Sequence, residues 1–424
     1  MAVKRDEHYD EWETISPEAR ENFINGKLRL QLRHIYDYSV AARAIFEEAG
    51  ITADDIKNAQ DLARIPVTRK EDIIRLQEEN PPFGGLDTVA LPDVERVFIS
   101  PGPVYEMQPA HVEWFSRALW AAGFRRGDVV LNSFTYHLSP AGLLMHEGLR
   151  NCGATVVVTG AGNTEIQLRA MKHLKVNGFL GTPSFLMTLI NKAEESGEDF
   201  RKNYKLERAW FTGEPLASSA RAIFENKYKI DTYQGYAVTE PGGVIAYECK
   251  HKQGFHLMDD YVVEIIDPAN GLPVDAGEVG EVVVTPVHNK TWGLVRFGTG
   301  DLSRLDTSHC PCGRSAPRLR GILGRAGDAV KIRGMFVVGR EVEGVMKAFE
   351  DITNYQLRVS RIGARDLAEM VISTKAGADE YSITSQIASE FQARCRLKLD
   401  SISTVPEADF KPGYPRIEDT RTWE

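Results

Sequence analysis

The chain of 424 residues carries a formal net charge of −9 at pH 7, and 42% of its residues are hydrophobic. Its length predicts two or three domains, or one large domain with a small one. The acidic balance argues against a nucleic-acid-binding protein, which usually has a basic face or a high isoelectric point. There is no apolar run of about 18 residues, so no membrane-spanning helix is predicted.

The N-terminal stretch is charged and contains no apolar core, so it is not predicted to be a secretory signal. Five cysteines in so long a chain do not resemble a disulfide framework. Both features favour a reducing cytoplasm as the location of the protein.

Residues 15–80 are predicted to be mainly helical, and the Thr-x-x-Asp in "ITADDIKNAQDL" is typical of a capped helix start. Over residues 96–290, short apolar runs alternate with helical stretches such as "EIQLRAMKHL" and "SFLMTLINKAEES". The runs in "GDVVLNSF", "GATVVVTG", "NGFLGTPS" and "LERAWFTGE" each end in small or polar residues. This alternation predicts a parallel sheet, which binds ligands at the carboxyl ends of its strands.

After about residue 255, "YVVEIID", "GEVGEVVVTPV" and "GLVRFGTGDLSRL" favour antiparallel strands. From about residue 328 onward, mixed patterns predict a small α+β domain, with "GRAGDAVKIRG" as the linker. The chain is therefore predicted to be an α/β protein. Residues 1–326 would form a large domain with βαβ sheets and an antiparallel β subdomain, and residues 327–424 a small α+β domain.

The stretch "RVFISPGPVYEMQ" gives conflicting signals. Residues 96–99 predict a strand, and a serine and a glycine directly after a strand are typical of a phosphate-binding loop. Pro101 and Pro103, however, lack the backbone N–H groups that a phosphate would need. From these residues alone, a ligand loop and a rigid turn both remain open.

Cys249 and His256 are followed much later by Cys310 and Cys312 in the sequence "CPCG". Thiolates with an imidazole favour Zn²⁺, and four such ligands form a closed, structural site. The glycine permits the tight turn of a metal knuckle. The two pairs would have to meet through the fold, and the alternative is a set of unrelated buried thiols with a surface histidine.

Three further motifs are weak when taken singly. In "YQGYAVTEPGG", Thr239 could bond a phosphate oxygen and Glu240 could hold Mg²⁺, but an ordinary turn is the alternative. Asp301 in "RFGTGDLSRL" could accept both hydroxyls of a ribose, or it could be a solvated turn residue. Asp328 in "GRAGDAVKIRGMFV" lies among cations where the two domains join, and a solvated linker is its alternative.

The order and spacing of these motifs are more specific than any one of them. "WFTGEPL", "GYAVTE", "RFGTGDL", "GRAGDAVKIRG" and a late lysine resemble the core motifs of the adenylate-forming superfamily. Within it the chain is most similar to the phenylacetate–CoA ligase family, with further likeness in "TRKEDI", "PPFGGL", "TYHLSPAGL" and "YECKHKQGFHL".

This resemblance implies an enzyme that activates a carboxylic acid with ATP and Mg²⁺. The resulting acyl-adenylate would pass its acyl group to coenzyme A, with pyrophosphate and AMP as the other products. The resemblance also implies a small domain that rotates between the two steps, a structural Zn²⁺ and a homodimer. The charge and the apolar runs predict neither a nucleic acid nor a membrane as partner. The alternatives are an adenylating enzyme with a different acceptor, and a nucleotide- or acid-binding paralogue without turnover.

The resemblance also implies roles for individual residues. It assigns the adenine site to Gly213, Glu214 and Pro215, adenine stacking to Tyr236, the α-phosphate to Thr239, Mg²⁺ to Glu240, the ribose to Asp301 with Arg325 nearby, and the hinge to Asp328. Lys411, followed by an unusual Pro-Gly-Tyr-Pro, is the candidate catalytic lysine. His137 is placed near the acid and thiol, although a buried structural histidine is the alternative, and the acid pocket is assigned to Tyr136, Pro183, Ala237 and Pro241.

The conflicting stretch falls where the family has a Ser/Thr/Gly-rich phosphate loop. Ser100 and Gly102 match that loop, but the Thr-Thr-Gly-Lys half is absent. Glu106 adds a negative charge near the expected β- and γ-phosphates. The sequence therefore predicts a rigid turn that grips ATP less well than the family's loop does.

Overall fold

The computed structural model describes residues 7–100, 102–108, 115–268, 270–278, 280–326, 330–333, 335–337, 339–363, 365–395, 397–411 and 413–421. The chain divides into two compact units. The first contains residues 1–181, 185–213 and 223–324, and the second contains residues 182–184, 214–222 and 325–424. The predicted hinge, Asp328, lies outside the described residues.

The first unit begins with helices and continues as a mixture of helices and strands. Its helices are α1 (Pro17–Tyr38), α2 (Val40–Glu48), α3 (Lys70–Glu79), α4 (Phe115–Ala121), α5 (Ala141–Asn151), α6 (Thr164–His173), α7 (Pro183–Glu195, whose first two residues belong to the second unit) and α8 (Phe200–Asn203). Its strands are β1 (Arg96–Ser100), β2 (Val104–Gln108), β3 (Val129–Asn132), β4 (Thr155–Val158), β5 (Gly178–Gly181), β6 (Arg208–Phe211), β7 (Asp231–Val238), β8 (Gly243–Glu248), β9 (Phe255–Leu257), β10 (Tyr261–Ile266), β11 (Gly280–Pro286), β12 (Phe297–Ser303), β13 (Leu305–Asp306), β14 (Arg318–Leu319) and β15 (Gly324–Arg325, which ends in the second unit).

A nine-stranded sheet organises the first unit, in the order β13-β14-β9-β8-β7-β6-β5-β3-β4. Strands β3 to β7 run parallel to their neighbours, whereas β7 pairs with β8 in the antiparallel sense. The parallel strands are short and apolar, such as Phe179 and Leu180 in β5, because helices cover both faces of such a sheet. This confirms the predicted βαβ region.

The turn between β7 and β8 is held tightly against helix α4. A β-carbon on Gly243 would lie only 2.2 Å from the Phe115 ring, and the φ of Gly243 is +132°. A larger residue there would displace the ring or the turn. Strands β10, β11 and β12 form the separate antiparallel sheet predicted from their alternating sequence.

The second unit has the predicted α+β composition. Its elements are α9 (Ser218–Ala222), β16 (Val330–Ile332), β17 (Met335–Val337), α10 (Gly339–Met346), β18 (Ile352–Ile362), β19 (Arg365–Thr374), α11 (Glu380–Cys395), β20 (Ser401–Thr404) and β21 (Ile417–Asp419). Ile383, Ile387 and Phe391 repeat every four residues along α11, so they share one face and are buried in the core of this unit. The boundary predicted at residues 326 and 327 remains a prediction.

The stretch "RVFISPGPVYEMQ" forms a β-hairpin. Strands β1 and β2 pair in the antiparallel sense, with Ser100 opposite Val104. The predicted first strand is confirmed, but the second strand was not predicted. Pro103 does not prevent such pairing, because it lies between the two strands and outside their paired residues. Pro101 lies outside the described residues.

Candidate functional site

The loops that follow the parallel strands meet at one edge of the large sheet, because the carboxyl ends of parallel strands lie together. Asn132, at the end of β3, is fully buried and fixes one of these loops. Its amide donates to the Tyr136 hydroxyl oxygen at 2.8 Å and to the Gly142 carbonyl at 2.9 Å. Tyr136 is thereby held in place.

The hydroxyl of Tyr136 is also 3.3 Å from Nδ1 of His146. Burial raises the pKa of Tyr136 to about 12, and burial lowers the pKa of His146, which favours a neutral imidazole. With Asn132 donating to its oxygen, the Tyr136 hydroxyl can donate to His146. The polar end of Tyr136 is therefore satisfied within the protein.

His137 is exposed, and its Nδ1 lies 3.0 Å from the Thr135 hydroxyl. The alternative interpretation as a buried structural histidine is therefore wrong. Its predicted place near the acid and the thiol remains a prediction.

Thr239 and Glu240 lie in the turn that follows β7. The Gly242 N–H donates to the Thr239 carbonyl at 2.9 Å and closes the turn. The Glu240 side chain is only 7% exposed, and its Oε1 lies 2.8 Å from Nζ of Lys70. A buried carboxylate requires such a partner, since an unpaired one would lose its hydration without compensation.

Lys70 belongs to the "TRKEDI" segment, which joins the turn to the antiparallel sheet. Thr68 donates to the Val295 carbonyl at 3.0 Å and accepts from the Gly298 N–H at 3.0 Å. Arg69 forms an ion pair with the fully buried Glu281, which also accepts the Gly300 N–H at 3.0 Å. Arg69 and Lys70 thus contact a carboxylate of the antiparallel sheet and a carboxylate of the turn after β7.

Tyr236 and Asp301 come together from the two sheets. The Tyr236 hydroxyl donates to Asp301 Oδ2 at 2.8 Å, and the Asp301 N–H donates to the Thr299 hydroxyl at 3.1 Å. These residues are 65 positions apart in the sequence. The structure therefore brings together two residues that were assigned to one ligand from separate motifs.

The β1–β2 hairpin contributes a buried acid to the same region. Glu106 is 3% exposed, and neither of its carboxylate oxygens has a hydrogen-bond partner among the described residues. Burial, reinforced by the negative charge of Glu240, raises the pKa of Glu106 to about 8, while Ser100 and Lys70 act in the opposite direction. Near neutral pH this carboxyl is mainly protonated.

The raised pKa predicts a pH-dependent stability that depends on Glu106. Between the ordinary glutamate pKa of 4.5 and about 8, Glu106 is protonated in the folded protein but ionised in the unfolded chain. The stability that this proton gives the folded protein is therefore lost as the pH rises through about 8. We expect Glu106→Gln, in magnesium-free buffer, to melt at a higher temperature than the parent protein at about pH 9. Thermal unfolding between about pH 6 and pH 9 measures this, with Glu79→Gln on the exposed face of α3 as control. Equal pH slopes for the parent protein and Glu106→Gln would contradict the expectation.

The predicted metal ligands form one buried cluster. The ligand atoms of Cys249, His256, Cys310 and Cys312 all lie within 4.8 Å of one another, and the residues are at most 3% exposed. Nδ1 of His256 lies 3.1 Å from the Ala316 carbonyl, so Nδ1 carries the hydrogen, and the lone pair of Nε2 points to the cluster, 3.4 Å from Sγ of Cys312. The alternative of unrelated thiols with a surface histidine is wrong.

The cluster also anchors the start of the chain. We refer to residues 7–20 as the N-terminal strap. His8 Nε2 lies 3.0 Å from the Cys312 carbonyl, and Nε of Arg314 donates to the buried Glu13 carboxylate at 2.6 Å. The Tyr247 hydroxyl donates to the same Glu13 oxygen at 2.7 Å. Residues 310–314, which we call the knuckle, are therefore joined to the N-terminal strap by a buried network of hydrogen bonds.

The remaining predicted residues lie at several places in the chain. Gly213 ends a segment of the first unit with a φ of +86°. In the second unit, Glu214 accepts a hydrogen bond from the Ser184 hydroxyl at 2.8 Å, Pro215 is exposed, and Pro183 is buried. Arg325 is half-buried at the end of β15, Lys411 is exposed, and Ala237 and Pro241 flank the Thr239 turn in the first unit.

Sequence reasoning did not assign Lys70, Asn132, His146 or Glu281 to this region. Lys70 was noted only as part of "TRKEDI", and its ion-pair partner Glu240 lies 170 residues later in the chain. A cation in the first turn of a helix gives no signal of its partner, because charged first turns are common on exposed helices.

In the described part of the chain, no helix is long and apolar enough to cross a membrane. The protein family described as "AMP-binding enzyme" matches residues 122–288. Phenylacetate-coenzyme A ligase of Thermus thermophilus is 31% identical over 377 residues, which cover 85% of this chain and 83% of the relative. Phenylacetate-coenzyme A ligase of Aromatoleum evansii is 32% identical over 354 residues, which cover 80% and 78%. A crystal structure of 2-hydroxyisobutyryl-CoA ligase with 2-HIB-AMP and CoA has a TM-score of 0.89 at 22% identity, covering 99% of this chain and 94% of that chain, which shows a shared fold.

Proposed function

The chain belongs to the phenylacetate–CoA ligase family of adenylate-forming enzymes, the AMP-forming acid–thiol ligases, and on that premise we propose that it activates an aryl acid. ATP supplies the adenylyl group, and coenzyme A accepts the acyl group. The observation that carries this proposal is the Tyr236–Asp301 pair beside the Thr239–Glu240 turn, at the carboxyl edge of the sheet.

The residues at this edge suit the adenylation step. The Asp301 carboxylate, oriented by Tyr236, offers acceptor oxygens to the two hydroxyls of a ribose. The Thr239 hydroxyl offers a donor to the α-phosphate. We propose that Glu240 holds Mg²⁺, which would neutralise the negative charge that develops on the phosphate as the carboxylate attacks.

The aryl preference rests on Tyr136. Its hydroxyl is engaged by Asn132 and His146, so the ring presents an apolar surface to a bound acid rather than a free polar group. An aryl or other apolar acid loses little binding free energy on contact with such a surface, whereas a hydroxy acid would leave its own hydroxyl unpaired. Pro183 and Ala237 are proposed to complete this pocket.

We also propose that the buried cluster of three cysteines and His256 holds a structural Zn²⁺. Soft thiolates with one imidazole, all buried, match a closed tetrahedral zinc site. Such a site keeps no open coordination position, so it stabilises the fold and takes no part in the reaction. The hinge at Asp328, the rotating small domain, the homodimer and the cytoplasmic location are part of the same proposal.

The test is a panel of carboxylic acids with ATP, Mg²⁺ and coenzyme A, read by mass spectrometry of the thioester. The proposal expects an aryl acid such as phenylacetate to give a thioester, and small hydroxy acids to give much less. Pyrophosphate release without any thioester would instead show an acceptor other than coenzyme A. Nucleotide binding without turnover would show an impaired paralogue.

The ribose role of Asp301 predicts a specific kinetic change. Asp301→Ala removes hydrogen bonds to a charged acceptor, each worth about 1.5–3 kcal/mol, so we expect the KM for ATP to rise about 10- to 100-fold. Tyr236→Phe is the matched variant, since it removes only the hydroxyl that orients the carboxylate, and its KM should rise less. Initial rates over a range of ATP concentrations measure both, and an unchanged KM in Asp301→Ala would rule out the ribose role.

A further inference from the structure

The inner face of the β1–β2 hairpin carries buried oxygen atoms without partners. Strand alternation and register place Ser100 and Glu106 on the same face, which is buried. Ser100 Oγ, both carboxylate oxygens of Glu106 and Gln108 Oε1 have no hydrogen-bond partner among the described residues. Since buried polar atoms are almost always paired, this row of oxygens needs an explanation.

The hairpin is held firmly against helix α3 and the end of β7. The Gln77 amide donates to the Tyr105 carbonyl at 2.8 Å and accepts the Tyr105 N–H at 2.9 Å. Val104 belongs to an apolar cluster against which Val238, the last residue of β7, packs. These contacts place the inner face of the hairpin beside the turn that carries Glu240.

Lys70 reaches this place from the start of α3. A β-carbon on Gly102 would lie 3.1 Å from Cε of Lys70, so the lysine side chain passes directly over the hairpin turn. Its ammonium then lies 2.8 Å from Glu240. Two buried carboxylates, Glu106 and Glu240, thus lie beside the same ammonium, which forms an ion pair with Glu240.

A second carboxylate buried beside Glu240 must be neutralised by a proton or by a cation. Ser100 and Gln108 offer oxygen atoms near Glu106, and hard divalent cations prefer oxygen ligands. Mg²⁺ in particular is usually held by one or two carboxylates, with water or phosphate oxygens completing its shell. Two glutamates on facing elements match that requirement.

We propose that Glu106 and Glu240 together form a two-carboxylate site for Mg²⁺ or Mn²⁺, with the Lys70 ammonium as the resident counter-ion that the divalent cation displaces. The hairpin would then supply, through Glu106, a cation ligand in place of the phosphate-binding loop. This inference deepens the proposed function and rests on it for the use of the cation with ATP. Cation binding itself requires neither ATP nor an acid.

The experiment measures Mn²⁺ binding to the full chain, with its native metal content, by electron paramagnetic resonance of free Mn²⁺. The parent protein is expected to bind Mn²⁺, and Glu106→Gln is expected to weaken that binding by at least about tenfold, because one of two charged ligands is lost. Glu106→Asp, which keeps the charge, should recover part of the affinity. Glu79→Gln, an exposed carboxylate on α3, should bind as the parent protein does.

Lys70→Met is expected to change the Mn²⁺ affinity in the opposite direction from Glu106→Gln. If Mn²⁺ displaces the ammonium, removing it should tighten Mn²⁺ binding, whereas a purely structural lysine would leave the affinity unchanged or lower it. Circular dichroism confirms that each variant is folded. Equal affinities of the parent protein and Glu106→Gln, or no Mn²⁺ binding by the parent protein, would overturn the inference.

The two proposals fail separately. Absence of thioester from every acid in the panel, with Mn²⁺ binding that still depends on Glu106, would overturn the proposed function and support the cation site. Thioester formation with Mn²⁺ binding that does not depend on Glu106 would overturn the cation site and support the proposed function.

Discussion

Replacing Cys310 with serine is expected to remove the bound metal and to lower the free energy of unfolding of the first unit by more than about 4 kcal/mol, as the loss of a structural metal does in other proteins. The reason is the position of the ligands. Cys249 and Cys310 are 61 residues apart and their sulfur atoms lie 3.7 Å apart, so a metal would join two distant segments. Without it, buried thiols would face one another with no ligand bond to hold them.

Metal content by mass spectrometry and thermal unfolding measure this prediction. Cys152→Ala is the matched control, since Cys152 is also a buried free thiol but lies outside the cluster. It should keep the metal and lose far less stability. A parent protein with much less than one zinc per chain would contradict the prediction, as would a Cys310→Ser variant that melts like the control.

Loss of the metal should also release the N-terminal strap. His8 contacts the Cys312 carbonyl, and Arg314 binds Glu13, so the strap is held by groups whose positions depend on the knuckle. We expect limited proteolysis of Cys310→Ser to cut within residues 7–20 before any other site. In Cys152→Ala the strap should remain as protected as in the parent protein.

The fold was predictable wherever a local pattern decides the structure. The apolar runs that became β3, β5 and β6 favour burial in a parallel sheet, and the four-residue spacing of Ile383, Ile387 and Phe391 fixes the buried face of α11. The members of the cysteine and histidine cluster were also predictable, since thiolates with an imidazole are typical metal-binding groups. Their meeting across 61 residues could only be assumed from it.

Strand β2 and the Lys70–Glu240 pair could not be predicted in this way. Glu106 and Val104 lie on the same buried face of β2, whereas a glutamate in a short strand ordinarily predicts a solvated face. Burial of that acid is decided by helix α3 and by the end of β7, which are remote in the sequence. The sequence predicts that Pro101 and Pro103 remove phosphate donors, but Pro103 also directly precedes the second strand of a hairpin.

The family's phosphate loop and this hairpin therefore offer different groups to a ligand. A loop of backbone N–H groups binds phosphate by donating hydrogen bonds. A hairpin with buried carboxyl and hydroxyl oxygens offers acceptors, which repel phosphate unless a cation lies between them. If Glu106 and Glu240 share a cation as proposed, the use of ATP by this chain is expected to depend on Glu106.

Replacing Lys411 with alanine is expected to slow adenylation by about 10²- to 10³-fold, the usual cost of removing one group that stabilises charge in the transition state. Lys411 is exposed in the second unit, and its ammonium has no ion-pair partner within the described chain. The turn that carries it is anchored, since the Tyr414 N–H donates to the Lys411 carbonyl at 3.2 Å and the Tyr414 hydroxyl donates to Asn354 at 2.8 Å. Tyr414 thus anchors the backbone of Lys411 to β18.

The effect should be confined to the first step. Attack of a carboxylate on ATP builds negative charge on the α-phosphate, which an ammonium stabilises, whereas attack of a thiol on a finished acyl-adenylate does not need that charge. Lys411→Ala should therefore convert a supplied acyl-adenylate and coenzyme A to thioester at close to the parent rate, while ATP-dependent pyrophosphate release falls. Lys398→Ala, another exposed lysine of the second unit, is the control and should change neither rate. If both steps slowed equally in Lys411→Ala, the lysine would be holding the second unit together rather than acting on the phosphate, and the catalytic assignment would have to move to another cation.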